Sequence, residues 1–264
     1  MKKHRHVHYV LAIDIGNSSI SFGLFENTKI LRTWHGNIDI IPKIGEFINH
    51  SGINSKSVQI IIDSVNPQKL GLLVKLLRKN FKNQQPLILG KTVKIKIAHK
   101  YKQYSKLGQD RIVNLAGALQ LYRPPILIID YGTAITFDVI SLKGVFEGGL
   151  IIPGVEIAWK ALQDRTALLP KFNLEQEILR RKELVGNDTK SCMTAGIGHS
   201  YGAMTDGLIG RFRSKYGKKL QVLVTGGFSR FIQSHIRQRV IVDPNHTLKS
   251  LALINFQYSG DCCS

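Results

Sequence analysis

Cysteine is scarce in this 264-residue chain: Cys192 and the adjacent pair Cys262 and Cys263 are all there is. No CxxC pair and no histidine cluster at metal-ligand spacing accompanies them. This excludes a zinc ribbon or a disulfide scaffold and suits a reducing cytoplasm. Long hydrophobic runs are missing too. No stretch approaches the roughly 18 uncharged apolar residues of a membrane helix, so a soluble protein with no membrane partner is expected. The start, MKKHRHVHYVLAIDIG, is basic as a signal peptide would be, but Asp14 soon interrupts its apolar stretch, and it reads as a mature cytosolic start. No GxxxxGK[ST] occurs, which disfavours a P-loop enzyme. Acids are few: 18 Asp and Glu stand against 37 Lys and Arg, for a formal charge of +19. Such a chain attracts anions, nucleotides and nucleic acids alike. The bases are spread through KIKIAHKYKQYSK, RRKE, RSKYGKK and RQR without a dense tail or a nucleic-acid motif. A solvated basic surface is therefore expected rather than a specific nucleic-acid partner.

What the chain does have is an internal echo. AIDIGNSSISFGLF near the start has a counterpart in ILIIDYGTAITFDVI: an apolar strand, Asp, any residue, Gly, small hydroxyl residues, then a second apolar strand. Asp14 and Asp130 lie 116 residues apart, close to half the chain, so a duplication is plausible. Each copy reads as a β-hairpin whose tight turn carries an Asp and a Gly.

Further elements follow from periodicity. A short strand is expected around Ile30 to His35, a helix near Ile41 to His50, and a strand over Val58 to Asp63. Leu70, Leu73, Val74, Leu77 and Phe81 then recur at helical spacing and build one buried face. Another helix is expected from about Arg111 to Tyr122. Pro124-Pro125 stops it, and the domain boundary is placed there, giving domains 1–124 and 125–264. In the second half the hairpin over Ile126 to Ile140 leads to EGGLIIPGVEIAWKAL, a helix through Leu162, and a long helix from about Lys190 to Phe212. That helix carries Ser191, Ala195, Gly198 and Gly202 on one nearly bare face. Each Gly costs about 1 kcal/mol relative to Ala, so close packing of another helix, within the chain or from a second subunit, should offset it. QVLVTGG reads as strand then glycine turn, and HTLKSLALINF as a terminal helix. The class is α/β with a sheet in each half, and a cleft between the halves is the default ligand site.

The two Asp-Gly turns carry the chemistry. Glycine lets the backbone approach a ligand, while neighbouring N–H groups and the hydroxyls of Ser18, Ser19 and Thr133 can donate to phosphate oxygens. One such turn is ordinary hairpin chemistry; two, half a chain apart, favour a nucleotide. Thr225–Gly227 (TGG), at a strand end, permits flat approach of a base or ribose and equally makes a plain turn. In KLGQDRIVNLAGA, Asp110 is either the N-cap of the second helix or a carboxylate that takes a proton from an alcohol while Arg111 binds an anion beside it. In GNDTKS, Thr189 is a cap or a ligand contact. The histidines, His4, His6 and His8 included, show no catalytic arrangement.

Taken in order, DIGNSS, LGQDR, DYGTAITFD, GGLIIPG with TALLP, GNDT and TGG resemble the motif series of the type III pantothenate kinases. That resemblance covers Asp14 to Gly227 and implies two ribonuclease-H-like domains of the actin-like ATPase fold around a nucleotide cleft. It implies an ATP site at Asp14, Ile15, Gly16, Asn17, Ser18, Ser19, Ile20 and Ser21, with Thr133, Gly226 and Gly227. It implies pantothenate bound by Tyr101, Gly108, Gln109, Asp110, Arg111 and Thr189, with Asp110 as proton acceptor. Mg²⁺ would accompany ATP, and Asp130 would hold a monovalent cation, potassium or ammonium. Thr189 would come from the partner subunit of a homodimer, giving the bare helix face a role in the dimer contact. Tyr104 stands where the family usually has proline, and Ser18 replaces the commoner threonine; neither removes a donor. The family also includes proteins first described as accessory transcription factors, which the charge keeps in view. A further alternative is another small-molecule kinase of the superfamily, which would not need both LGQDR and GNDT.

Overall fold

Runs rich in Ile, Leu and Val, YVLAIDI and ILIIDY, become the central strands of two five-stranded sheets and are buried at nearly every position. In the computed structural model the described residues are 8–17, 19–36, 44–49, 53, 57–81, 85–166, 168–180 and 183–260. The first sheet has the order β3-β2-β1-β4-β5, from β1 (Tyr9–Ile15), β2 (Ile20–Glu26), β3 (Lys29–Gly36), β4 (Val58–Ser64) and β5 (Leu87–Ile88). The second has the order β10-β9-β6-β7-β8, from β6 (Ile126–Tyr131), β7 (Ala134–Ile140), β8 (Phe146–Pro153), β9 (Gln221–Thr225) and β10 (Ile241–Val242). In each, a three-stranded antiparallel meander gains two parallel strands beside its first strand. The duplication seen in the residues is thus a duplication of topology: an α/β protein of two ribonuclease-H-like units.

The chain divides into two compact units. One comprises residues to Ile97, Gln103–Gln120 and the stretch from His246; the other comprises Ala98–Lys102 and Leu121–Asn245. The division thus falls at Gln120/Leu121, near Pro124-Pro125, while the terminal helix goes with the first unit.

In the first unit, strand alternation sorts side chains to two faces. Leu11, Ile13 and Ile15 pack with Leu70, Leu73 and Leu77 of α2 (Pro67–Asn80) and with Ile44 and Phe47 of α1 (Ile44–Asn49). Val10, Ala12 and Ile61 pack on the other face with Val113 and Ala116 of α3 (Gln109–Leu121) and with Leu248, Leu251 and Ala252 of α8 (His246–Gly260). The start of the helix expected from Ile41 lies outside the described residues. Helices α3 and α8 approach closely at Gly117, where Ser250 faces it, and are tied by His246 to the Asn114 carbonyl (3.0 Å) and by Thr247, whose hydroxyl donates to the Asn114 side chain (2.8 Å).

In the second unit, Leu127, Ile129, Tyr131 and Phe137 pack with Trp159 of α4 (Val155–Asp164), with Leu174 and Ile178 of α5 (Leu174–Arg180), and with Met193, Ile197 and Ile209 of α6 (Thr189–Tyr216). The Tyr131 hydroxyl pairs with Thr205 of α6. The bare face of α6 is covered by its own chain: Gly198 and Gly202 lie against His235, in the 3₁₀ turn Gln233–His235 that follows α7 (Ser229–Ile232), and Ser191 lies against Gly186. Its glycines are thus offset by intrachain packing on a turn, and that face is not open to a second subunit.

The close approach of α3 and α8 has a measurable consequence. A Cβ at Gly117 would overlap the Ser250 side chain and come within 2.9 Å of its Cα, whereas one at Gly71 of α2 would meet nothing within 4 Å. Gly117→Ala is expected to destabilise the protein by about 1–3 kcal/mol through overpacking. Gly71→Ala is expected to stabilise it by about 0.5–1 kcal/mol through helix propensity. Denaturant melts of the two variants should therefore move in opposite directions.

Candidate active site

The first Asp-Gly turn joins β1 to β2. It is closed by a hydrogen bond from the Gly16 N–H to the Ser19 carbonyl (2.9 Å). Asp14 pairs in register with Ser21 across the hairpin and with Asp63 at the end of the parallel strand β4. Ile15 and Ile20 bury their side chains fully in the core, so their backbone alone is available to a ligand. The Ser21 hydroxyl is engaged by the His35 ring on β3 (2.7 Å). Asn17 is exposed and Ser19 half-buried, while Ser18 lies outside the described residues.

Parity decides what surrounds Asp14. It shares the face of Val10 and Ala12, and Asp63 shares that of Ile61; this is the face covered by α3 and α8. Asp110 opens α3, and its charge acts on Asp63 together with that of Asp14. Three carboxylates of the first unit thus gather at the strand ends. Asp63 is fully buried, and no donor reaches either of its oxygens with hydrogen-bond geometry. Burial pushes its carboxyl well above 3.8, Asp14 and Asp110 push the same way, and only the Ser64 backbone N–H opposes them.

Asp110 is the second residue of α3, so the cap position falls to Gly108, whose carbonyl accepts from the Ile112 N–H (3.2 Å). The cap reading of Asp110 is corrected accordingly: its carboxylate accepts the next N–H, that of Arg111 (2.8 Å), one of the helix's unpaired donors. A Cβ at Gly108 would overlap this carboxylate, so a glycine there makes room for it. Arg111 is buried, and Gln109 lies against Gly90.

The second turn runs through Gly132 and Thr133, both exposed, between β6 and β7. Asp130 pairs in register with Thr136 and with Thr225 of β9. Gly226, at a φ of 90°, is pressed against Asp130: a side chain there would overlap the carboxylate and come 2.6 Å from the Tyr131 carbonyl oxygen. The TGG segment and the second turn therefore form one structure, with exposed Gly227 beyond it.

The expected substrate residues are divided between units: Gly108–Arg111 stand in the first, Tyr101 and Thr189 in the second. Tyr101 stacks on Phe146 (5.6 Å between centroids). Thr189 is the exposed first residue of α6. The cap is Asp188, whose side chain accepts the Ser191 N–H (2.9 Å) while the Ser191 hydroxyl accepts the Asp188 N–H (3.0 Å). Thr189 thus has no capping duty. Sequence reasoning passed over Asp63 and Lys69, whose ammonium reaches the Asn17 carbonyl (2.6 Å). For Asp63 a signal existed: VQIIID ends, as VLAID does, in an Asp behind an apolar run.

The model of the type III pantothenate kinase family matches residues 10–211. A type III pantothenate kinase of Moorella thermoacetica is 34% identical over 253 residues, covering 93% of this chain and 98% of the relative. One of Dehalococcoides mccartyi is 33% identical, covering 93% and 96%. Among solved structures, a Campylobacter jejuni protein described as a Baf family transcriptional activator superposes with a TM-score of 0.52 at 21% identity, covering 95% of this chain and 98% of that one. The ethanolamine utilization protein EutJ of Carboxydothermus hydrogenoformans gives 0.53 at 14% identity, covering 93% and 89%. At these identities the two structures speak for the fold alone.

The state of Asp63 is testable through stability. Its folded pKa lies above 3.8, so its contribution is fully present below that value and is lost as pH rises through the raised pKa. Asn has the same shape and no charge. Asp63→Asn should melt at a higher temperature than the parent protein near neutral pH, and the gap should close as pH falls towards about 4. Parallel melting curves across that range would show that Asp63 does not hold a proton.

Proposed function

The chain belongs to the type III pantothenate kinase family and phosphorylates pantothenate with ATP at the first step towards coenzyme A; from that premise we propose how its residues divide the work. The turn Asp14–Ser21 and the turn at Thr133 with Gly226 and Gly227 hold the nucleotide, the first through N–H and hydroxyl donors to phosphate oxygens. Arg111 pairs with the pantothenate carboxylate, and Tyr101, Gly108, Gln109 and Thr189 shape its pocket. Asp110 accepts the proton of the primary hydroxyl as that oxygen bonds to the γ-phosphorus and the bond to ADP breaks. The gathering of Asp14 and Asp110 about Asp63 on one face of the first sheet supports this reading, because a carboxylate able to take a proton then stands near the turn proposed to hold phosphate.

The cations fit this arrangement. Gly226 leaves room beside the Asp130 carboxylate that a Cβ would fill. A potassium or ammonium ion there would be held by Asp130 and would offset phosphate charge. Mg²⁺ would arrive on the phosphates of ATP, with Asp14 at the start of the turn to meet it. When bound, Mg²⁺ would neutralise charge growing on the bridging oxygen.

No helix among the described residues is long and apolar enough to cross a membrane, and the reading is of a cytoplasmic enzyme without specific nucleic-acid binding. A homodimer is part of it. Leu150 and Ile151 of β8, with Leu184 and Val185 ahead of α6, offer exposed apolar side chains for the contact. The transcription-factor alternative is not favoured.

The direct assay incubates the pure protein with ATP, Mg²⁺, potassium and pantothenate and looks for phosphopantothenate. Replacing potassium by sodium should lower turnover; equal rates would remove Asp130 as a cation ligand. Asp110→Asn should leave melting and ATP binding close to normal and lower kcat by about 10²- to 10⁴-fold. Near-parental turnover in a normally folded variant would refute its role as proton acceptor.

A further inference from the structure

The first phosphate turn lacks a cation of its own: from Asp14 to Ser21 it reads DIGNSSIS. Its surroundings are acidic, because the carboxylates of Asp14 and Asp110 both lie close enough to act on the buried Asp63. A nucleotide's phosphate tail would add several negative charges. Backbone N–H groups and hydroxyls carry only partial charges, so beyond the Mg²⁺ carried by the phosphates a fixed positive charge from the protein would strengthen binding at this turn.

Lys69 is placed to supply it. Asn66 caps α2 by accepting the Lys69 N–H (3.1 Å), and Pro67 sets the entry of the helix, so the lysine backbone is held at a fixed point of the first turn. From there the side chain spans to the tip of the phosphate turn, where Nζ donates to the Asn17 carbonyl at 2.6 Å. That bond uses one of the three donors of an ammonium. The first turn of α2 has no acidic residue, and a lysine in that position works against the helix dipole. Its location is thus unfavourable for the helix alone and favourable once an anion arrives.

We propose that Lys69 is a phosphate-binding residue of the ATP site, its ammonium bridging the Asn17 carbonyl and the phosphate oxygens of the nucleotide. The proposal rests on the kinase reading and adds to it a charged group from α2. Selectivity for nucleotides with a phosphate tail follows, since AMP lacks the oxygens that the lysine would meet.

The test compares ATP and AMP binding by calorimetry in the parent protein, Lys69→Met and Lys69→Arg, beside KM for ATP and for pantothenate. Methionine keeps the apolar stem and removes the charge. Lys69→Met should weaken ATP about ten- to hundredfold, the range for loss of a charged hydrogen bond. AMP affinity and the KM for pantothenate should stay within about twofold, and Lys69→Arg should recover most of the ATP loss. ATP affinity within about twofold of the parent would overturn the proposal. So would equal losses for ATP and AMP with a lower melting temperature, because Lys69 would then only pin the turn. A parent protein that binds ATP yet leaves pantothenate unmodified would sink the substrate reading instead, and the ATP-to-AMP comparison would still decide Lys69.

Discussion

The alternation of side chains along paired strands is the constraint on which the rest depends. Because β1 is buried on both faces, its odd residues answer to α1 and α2 and its even ones to α3 and α8. Asp14 has no choice of side. The parallel register of β1 and β4 then brings Asp63 beside it, on the face where α3 presents Asp110. A one-residue slip would send either aspartate into the apolar layer under α2, a penalty of several kcal/mol that holds the register.

The same constraint works in the second unit with different residues. Thr225 occupies, beside Asp130, the position that Asp63 occupies beside Asp14. Both are buried, and neither the Asp63 oxygens nor the Thr225 hydroxyl finds a hydrogen-bond partner. One topology therefore carries two chemistries. In the first unit a buried carboxyl whose pKa is raised stands beside Asp14, while in the second a hydroxyl and the backbone of Gly226 stand beside the Asp130 carboxylate. In the proposed division of work, the first side needs a lysine against an acidic background and the second suits a single weakly held cation.

Much of this was legible in the residues. Both hairpins, the helices α2, α3, α6 and α8, and the repeat of Asp14 in Asp130 follow from apolar periodicity and glycine placement. What escaped reading has physical reasons. β5 and β10 are two residues long and α5 only seven, too short for a period to declare itself. Asp63 and Lys69 acquire meaning only through parallel pairing and a contact 52 residues long, neither of which leaves a local pattern. Asp110 and Thr189 each looked like helix caps because Asp and Thr are good ones, but Gly108 and Asp188 hold those positions. The bare face of α6 signalled close packing correctly without revealing that its partner is a turn around His235 rather than another helix.

The contribution of α8 to the first unit bears on how the protein is made. Residues 246–260 cover the face of β1 that carries Asp14, yet they are synthesised only after the whole of the second unit. The amino-terminal sheet must wait, with Val10, Ala12 and Ile61 uncovered, while the entire second unit is synthesised and is free to fold. Closing that gap is a contact of very long range, which slows folding and lengthens exposure to aggregation. A nascent chain halted before His246 should therefore hold a complete second unit and an unfinished first one, so the unit that carries Asp110 is the later of the two to become competent.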